Sequence, residues 1–173
     1  PLYFNVLGSQ ELMAIAFSCE KTDVIRRFIK GSENLIKPKM VASGPVQEQV
    51  FTGADLDLTK LPMIVHSEKD GGRYISAGVV VAKDPKTGVR NSSFNRMQLK
   101  GKDKMGIRMM PSNHLGMIQE QYEAMDQPME IAVVLGGHPF ELLSAASSPR
   151  YEIDEYDFAS GLRGEALELV KCK

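Results

Sequence analysis

SAGVVVAKDPKTGVRNSSFNRMQLKGKDKMGIRMM, from Ser76 to Met110, reads as three strands joined by two short turns. Ser76 to Lys83 is centred on Val79-Val80-Val81, and Asp84-Pro85-Lys86-Thr87-Gly88 has the residue types of a hairpin loop. Val89 to Leu99 is the second strand, Gly101 to Lys104 the second turn and Met105 to Met110 the third strand. Successive strands with connections this short pair antiparallel, since a parallel Rossmann sheet needs a crossover between neighbours.

Outward from this meander, Leu2 to Val6 is an expected strand. Ser9 is placed to cap a helix whose apolar face is Leu12, Met13, Ile15 and Ala16. A second helix is expected from Thr22 to about Ile36, with Val24, Ile25, Phe28 and Ile29 inward. Pro38 and Ala42-Ser43-Gly44-Pro45 then mark a boundary, so residues 1–45 read as part of an N-terminal α/β region and 46–173 as a second domain. Val46 to Thr52 is read as a strand, and Gly53-Ala54-Asp55 as a turn. Beyond the meander follow a helix from His114 to Met125 (Leu115, Ile118 and Tyr122 on one face), a strand from Met129 to Leu135 and a helix from Pro139 to Ala146. The Ser147-Ser148-Pro149 loop leads to a short helix from Glu155 to Leu162 and a last strand. The fold class is α+β: an antiparallel, split-barrel-like sheet flanked by helices.

The chain has 173 residues, 43% hydrophobic and 25% charged, which suits a domain with a real core. A net charge of -1 offers no general basic field for nucleic acid. No apolar run approaches membrane-spanning length. Cys19 and Cys172 lack metal-type spacing and read as two buried reduced thiols, which points to the cytoplasm. The first residue is Pro1, and Leu167 to Cys172 alternates like a strand in progress at the other end. Together these read as part of a longer polypeptide.

Chemistry-bearing residues concentrate between Gly88 and Gly116. Asn91, Ser92 and Ser93 are in themselves ordinary turn and strand-edge residues. Arg96 lies mid-strand, where an arginine either faces solvent or grips a carboxylate or phosphate through two parallel hydrogen bonds. Asn91 and Arg96 differ in strand parity, so sharing one site requires a bulge between them. His114 starts a helix, a position that disfavours imidazolium and leaves the ring able to bind metal. Glu155 also starts a helix, where complementing the dipole is the bland account. Asn, His and Glu together form an oxygen and nitrogen set suited to Mg²⁺ or Mn²⁺. Met105, Met109 and Met110 read as core filler. His66 and His138 are loop residues without a nameable partner, and Arg108 and Arg163 are expected to be solvated or salt-bridged, with Arg108 within reach of the same pocket.

Four blocks carry a resemblance that covers nearly the whole chain. They are TGADLDLTKLP (Thr52 to Pro62), GGRYISAGVVVAKDPKTGVRN (Gly71 to Asn91), RMQLKGKDKMGIRMMPSNH (Arg96 to His114) and DEYDFASGLRGEALELVK (Asp154 to Lys171). In this order they resemble the UbiD-type decarboxylases, which use prenylated FMN. The resemblance implies that Asn91, His114 and Glu155 bind a divalent metal, Mn²⁺ or Mg²⁺, accompanied by K⁺. It implies that Ser92, Ser93, Phe94, Asn95 and Arg96 line the flavin, with Asn113, His114, Ser147, Ser148 and Pro149 contributing, and that Arg96 is the catalytic arginine. The implied reaction is reversible, non-oxidative loss of CO₂ from an aromatic or α,β-unsaturated acid, with the cofactor holding the electrons.

Two departures from the family bear on pocket shape and substrate choice. Ser112-Asn113 stands where many members have a glycine-arginine pair, and Asn95 where an aromatic residue often precedes the arginine. Family enzymes are longer and form oligomers through a C-terminal domain absent here, so a homo-oligomer is expected at full length. Their proton-donating acid lies beyond Lys173, and neither Glu165 nor Glu168 is assigned that role. The expectation is therefore the central, cofactor-binding part of such an enzyme, incomplete for catalysis by itself. The alternative is a stand-alone, non-catalytic flavin-binding or oligomerisation module. A conventional FMN-dependent reductase gains no support, because no nicotinamide signal is present.

Overall fold

The computed structural model describes residues 7–172, and the expected strand at Leu2 to Val6 lies outside the described residues. The meander is present. Strands β2 (Tyr74–Lys83), β3 (Arg90–Leu99) and β4 (Met105–Ile107) pair antiparallel, and β5 (Ile131–Val134) adds to the other side of β2. The order is β4-β3-β2-β5. The hairpin between β2 and β3 is fixed by Asp84, whose Oδ1 accepts from the N–H groups of Lys86 and Thr87 at 2.8 Å. Gly88 closes it at φ +74°, a conformation in which a β-carbon would be strained.

Helix α3 (His114–Ala124) covers one face of the sheet. Leu115 and Ile118 pack there on Val80, Ala82 and Met97, all nearly inaccessible to water. Helices α4 (Pro139–Ser147) and α5 (Glu155–Arg163) lie toward the opposite face, where Val79 meets Tyr156 and Ala159 around a small cavity. A second core of Phe17, Phe140, Phe158 and Leu162 joins them to α1 (Gln10–Phe17) and α2 (Val24–Glu33). The antiparallel α+β expectation thus holds, with one addition. β1 (Lys39–Met40) and β6 (Glu168–Leu169) form a parallel two-stranded ribbon, buttressed by a Lys39–Glu168 ion pair of 2.9 Å.

Several expectations are corrected. Val46 to Thr52 is not a strand: Pro45–Gln47 forms a 3-10 turn, and Val46 and Phe51 are exposed. The third strand ends at Ile107, leaving Met110 exposed while Met105 and Met109 pack on the core. Ser9 does cap α1, accepting from Leu12 N at 3.2 Å, yet Ala14 and Phe17 are the buried residues and Leu12 and Ile15 face out. The Phe17 ring sets the helix rotation by stacking edge-on against Phe140, 4.9 Å between centres. Likewise Phe28 meets Phe158 at 5.9 Å, so Ile25 and Ile29 turn outward. α2 ends at Glu33 rather than Ile36, because Ile36 N donates to Asp157 O (3.1 Å) and leaves the helical path. Cys19 is half-buried as a free thiol, but Cys172 is exposed, in the stretch after β6.

α2 and α5 cross at two glycines. A β-carbon on Gly161 would sit 2.5 Å from the carbonyl oxygens of both Gly31 and Asn34, and one on Gly31 would sit 2.7 Å from Leu162 Cα. Only backbone fits at this crossing. Gly161→Val should therefore separate the helices and cost about 2–3 kcal/mol, read as a lowered denaturation midpoint. An unchanged midpoint would show that the crossing is not tight.

Asp84 generates a second prediction. Its Oδ2 accepts from Gln121 Nε2 at 2.9 Å and from the Tyr151 hydroxyl, so four donors converge on a carboxylate that is 4% exposed. Burial by itself would raise its pKa; the bonds from Tyr151, Gln121, Thr87 and Lys86 outweigh it and hold the carboxyl well below the usual range. Because the folded pKa is depressed, the stabilisation is present above the unfolded value of 3.8 and is lost as pH falls through the folded value. Asp84→Asn should cost about 2 kcal/mol at neutral pH, and the gap from wild type should shrink in denaturation curves taken below pH 3.8. A gap that stays constant with pH would contradict the assignment.

Candidate functional site

Two adjacent residues of β3 hold two adjacent residues at the head of α5. Arg90 Nε donates to Asp154 Oδ2 at 2.7 Å, and Asn91 Nδ2 donates to Glu155 Oε1 at 2.9 Å. Asp154 is also the helix cap, its Oδ1 accepting from Tyr156 N at 2.9 Å. Glu155 is 3% exposed, and its second oxygen accepts the Ser92 backbone N–H at 2.9 Å. Its own carbonyl accepts from the buried Ser144 hydroxyl at 2.5 Å. Burial pushes the Glu155 carboxyl up to about 7; the bonds from Ser92 N and Asn91 oppose that rise, and the neighbouring Asp154 charge adds to it. Arg90 is engaged by Asp154, and among the described residues no basic side chain pairs with Glu155.

β3 alternates regularly through this region. Asn91, Ser93 and Asn95 share one face: Ser93 Oγ donates to Asn91 Oδ1 at 3.3 Å, and Asn95 Nδ2 to Ser93 Oγ at 3.0 Å. They lie opposite Ala82, Val80 and Gly78, on the side that α3 covers. Ser92, Phe94 and Arg96 project the other way. Ser92 Oγ is buried without a partner, beside a cavity of about 10 Å³, room for one water molecule. Phe94 is 39% exposed. The strand irregularity falls on β2, where Ser76 and Ala77 stand opposite Arg96, and not on β3 between Asn91 and Arg96. The structure therefore sets these two residues on opposite faces. Arg96 Nη2 donates to Asp70 Oδ1 at 2.7 Å, and its guanidinium carbon lies 3.9 Å from the centre of the Tyr74 ring.

His114 opens α3 on the same side of the sheet as Asn91. It makes no hydrogen bond to Asn91 or Glu155, and its ring meets Tyr151 edge-on at 5.1 Å. Among the described residues no three His, Cys, Asp or Glu side chains converge as a metal site. Asn113 precedes α3 with an exposed side chain that forms no cap bond. Ser147 ends α4, its hydroxyl donating to Leu143 O at 2.6 Å; Ser148 adopts a left-handed conformation at φ 43°, and Pro149 is half-buried. Asn91, Ser92 and Glu155 are thus joined by hydrogen bonds, while the side chains of His114, Arg96, Ser147 and Ser148 make none to that cluster.

Sequence reasoning missed several contributors. Asp154 is of a residue type that caps helices, but its place in the sequence carries no sign of the pairing with Arg90. Ser144, Asp70 and Tyr74 gave no local signal. The remaining histidines have partners: His66 Nε2 lies 3.2 Å from Ser76 Oγ, and His138 caps α4, its Nδ1 accepting from Phe140 N at 3.3 Å. Arg163 pairs with Glu165 at 2.7 Å, and Arg108 is exposed without an ion pair among the described residues.

At the head of α5 a buried carboxylate and an amide side chain meet. A half-turn of the Asn91 amide would exchange Nδ2 for Oδ1 and direct two oxygens, one of them formally charged, at the same point. A hard divalent cation there would neutralise a buried carboxylate that now lacks a counter-charge.

Comparison with known proteins agrees with the α+β fold and the four sequence blocks. Residues 39–173 match the family described as UbiD, the 3-octaprenyl-4-hydroxybenzoate carboxy-lyase Rift-related domain. Anhydromevalonate phosphate decarboxylase of Methanothermobacter thermautotrophicus is 33% identical over all of this chain and 40% of its own length. The UbiD-class enzyme HmfF from Pelotomaculum thermopropionicum, solved with FMN, superposes with a TM-score of 0.88 at 37% identity, over 96% of this chain and 38% of that one. An evolved dimeric form of it, solved with prFMN, gives 0.89. The closed form of vanillic acid decarboxylase from Sedimentibacter hydroxybenzoicus gives 0.90 at 28% identity, over 98% of this chain and 38% of that one. The chain spans about two fifths of the length of these relatives. From the four sequence blocks, the antiparallel sheet and the family match over residues 39–173, the chain belongs to the UbiD family of decarboxylases.

Proposed function

We propose that the chain is the central, cofactor-binding part of a reversible, non-oxidative decarboxylase that uses prenylated FMN and acts on an aromatic or α,β-unsaturated carboxylic acid. The observation that carries this is the buried Asn91–Glu155 pair without a counter-cation at the head of α5. Relatives bound to FMN and prFMN support it. Residues 1–45 would complete an N-terminal α/β region and 46–173 form the flavin- and metal-binding domain, with a C-terminal domain following in the whole protein.

In this reading Asn91, His114 and Glu155 would hold Mn²⁺ (or Mg²⁺), with K⁺ nearby. Ser92, Ser93, Phe94, Asn95, Asn113, Ser147, Ser148 and Pro149 would line the flavin. When bound, the prenylated flavin supplies the electron sink for departing CO₂. Arg96 lies on the other face of β3 from Asn91, so it would bind the substrate carboxylate through paired N–H···O bonds apart from the metal ligands. A proton must replace CO₂, and the chain's late acids are ill-placed to give it: Glu165 is exposed on Arg163 and Glu168 on Lys39. The acid would come from another segment of the protein, which would work as a cytoplasmic homo-oligomer.

Two outcomes test this. Asn91→Ala and Glu155→Gln should each weaken Mn²⁺ binding at least about tenfold in calorimetric titration of the chain, and unchanged affinity would remove both from the ligand set. In the flavin-loaded, full-length protein, Arg96→Ala should retain flavin absorbance but lower kcat/KM for decarboxylation by about 10²-fold or more; full activity would exclude Arg96 from the reaction.

A further inference from the structure

Arg96 already carries a carboxylate. Its Nη2 donates to Asp70 Oδ1 at 2.7 Å, and its side chain is 52% exposed against 18% for Asp70. Asp70 is held in place by its own loop, since its Oδ2 accepts from Ser67 N at 3.1 Å. Residues 67–72 form a turn outside helix and strand, closed by Asp70 N to Ser67 O at 3.0 Å and tied to β3 through Gln98 Nε2 on Gly71 O at 2.6 Å. The contact is single: Nε and Nη1 of Arg96 have no hydrogen-bond partner among the described residues. The Tyr74 ring, 3.9 Å from the guanidinium carbon, supports Arg96 independently of Asp70.

We propose that Asp70 is a placeholder for the substrate carboxylate, occupying Arg96 until an anionic substrate displaces it. The idea rests on the reading of Arg96 as the group that binds that carboxylate. Exchange of one carboxylate for another keeps the guanidinium paired, so no bare cation is exposed in between. An incoming group with two oxygens can use the paired N–H fork that Asp70 uses only in part, which favours the substrate. A neutral ligand offers no charge to replace that of Asp70. Asp70 is then a specificity-determining residue: it lets carboxylates reach Arg96 and turns away their amides and esters. Tyr74 keeps the guanidinium plane oriented throughout.

The probes are benzoate and benzamide, titrated into the chain while the side-chain N–H signal of Arg96 is followed by NMR. Asp70→Asn, which removes a half-exposed competing ion pair, should tighten benzoate binding about two- to fivefold, and Asp70→Ala should do the same. Glu68→Gln makes an equal change of charge in the same loop, without touching Arg96, and should leave binding as in wild type. Benzamide should bind neither wild type nor Glu68→Gln, and should gain detectable binding in Asp70→Ala, where the excluding carboxylate is gone; its continued exclusion there would remove Asp70 as the specificity determinant. Unchanged or weaker benzoate binding in both Asp70 variants, or a Glu68→Gln effect equal to theirs, would overturn the proposal, as would absence of benzoate binding in every variant. Arg96→Ala separates the two ideas. If it leaves benzoate binding intact, the carboxylate-binding reading of Arg96 fails; if it abolishes binding while both Asp70 variants match wild type, only the placeholder fails.

Discussion

The junction of β3 with α5 is the constraint on which the rest of the domain depends. A helix with an acidic first turn ends against a strand whose Arg90, Asn91 and Ser92 offer a guanidinium, an amide and a backbone N–H in succession. Four groups are satisfied at once, and one carboxylate, Glu155, is left buried with hydrogen bonds but no opposing charge. Burying that carboxylate costs folding free energy, which the hydrogen bonds from Asn91 and Ser92 offset in part. In the proposed reading a bound cation would supply that missing opposing charge.

The junction also explains how the two cores cooperate. α5 carries Phe158 and Leu162 into the aromatic cluster with α1, α2 and α4, while its head is bonded to the strand that backs the α3 core. Asp84 performs a similar joining task on the α3 side. It binds its own hairpin, Gln121 of α3 and Tyr151 of the loop before α5, and Tyr151 in turn packs against His114. The Tyr151 hydroxyl, pushed up to about 12 by burial and by Asp84, stays protonated and able to donate.

What the sequence made legible follows from range. The β2–β3–β4 meander depends on local alternation and turn chemistry, and it was read closely. Ser9 and the Asp154–Glu155 start of α5 were readable for the same reason. The rotations of α1 and α2 were not, because Phe17 and Phe28 choose their faces by partners more than a hundred residues away. Val46 to Thr52 has strand-like composition, but Pro45 starts a 3-10 turn there and the segment joins neither sheet. Asn91 and Glu155 are 64 residues apart, and only the order of the family blocks linked them. The face assignment of Arg96 was recognised as a difficulty from parity alone, and Asp70, 26 residues upstream in a loop, left no trace.

The parallel ribbon has a mechanical meaning. β1 and β6 are joined by Lys39 N to Leu167 O (2.9 Å) and Val41 N to Leu169 O (2.8 Å), with the strands running the same way. Tension drawing the start of β1 away from the end of β6 therefore loads these bonds in shear, together, rather than opening them one after another like a zip. Short as it is, the ribbon is a clasp that yields to peeling one bond at a time and resists a lengthwise pull through its bonds together.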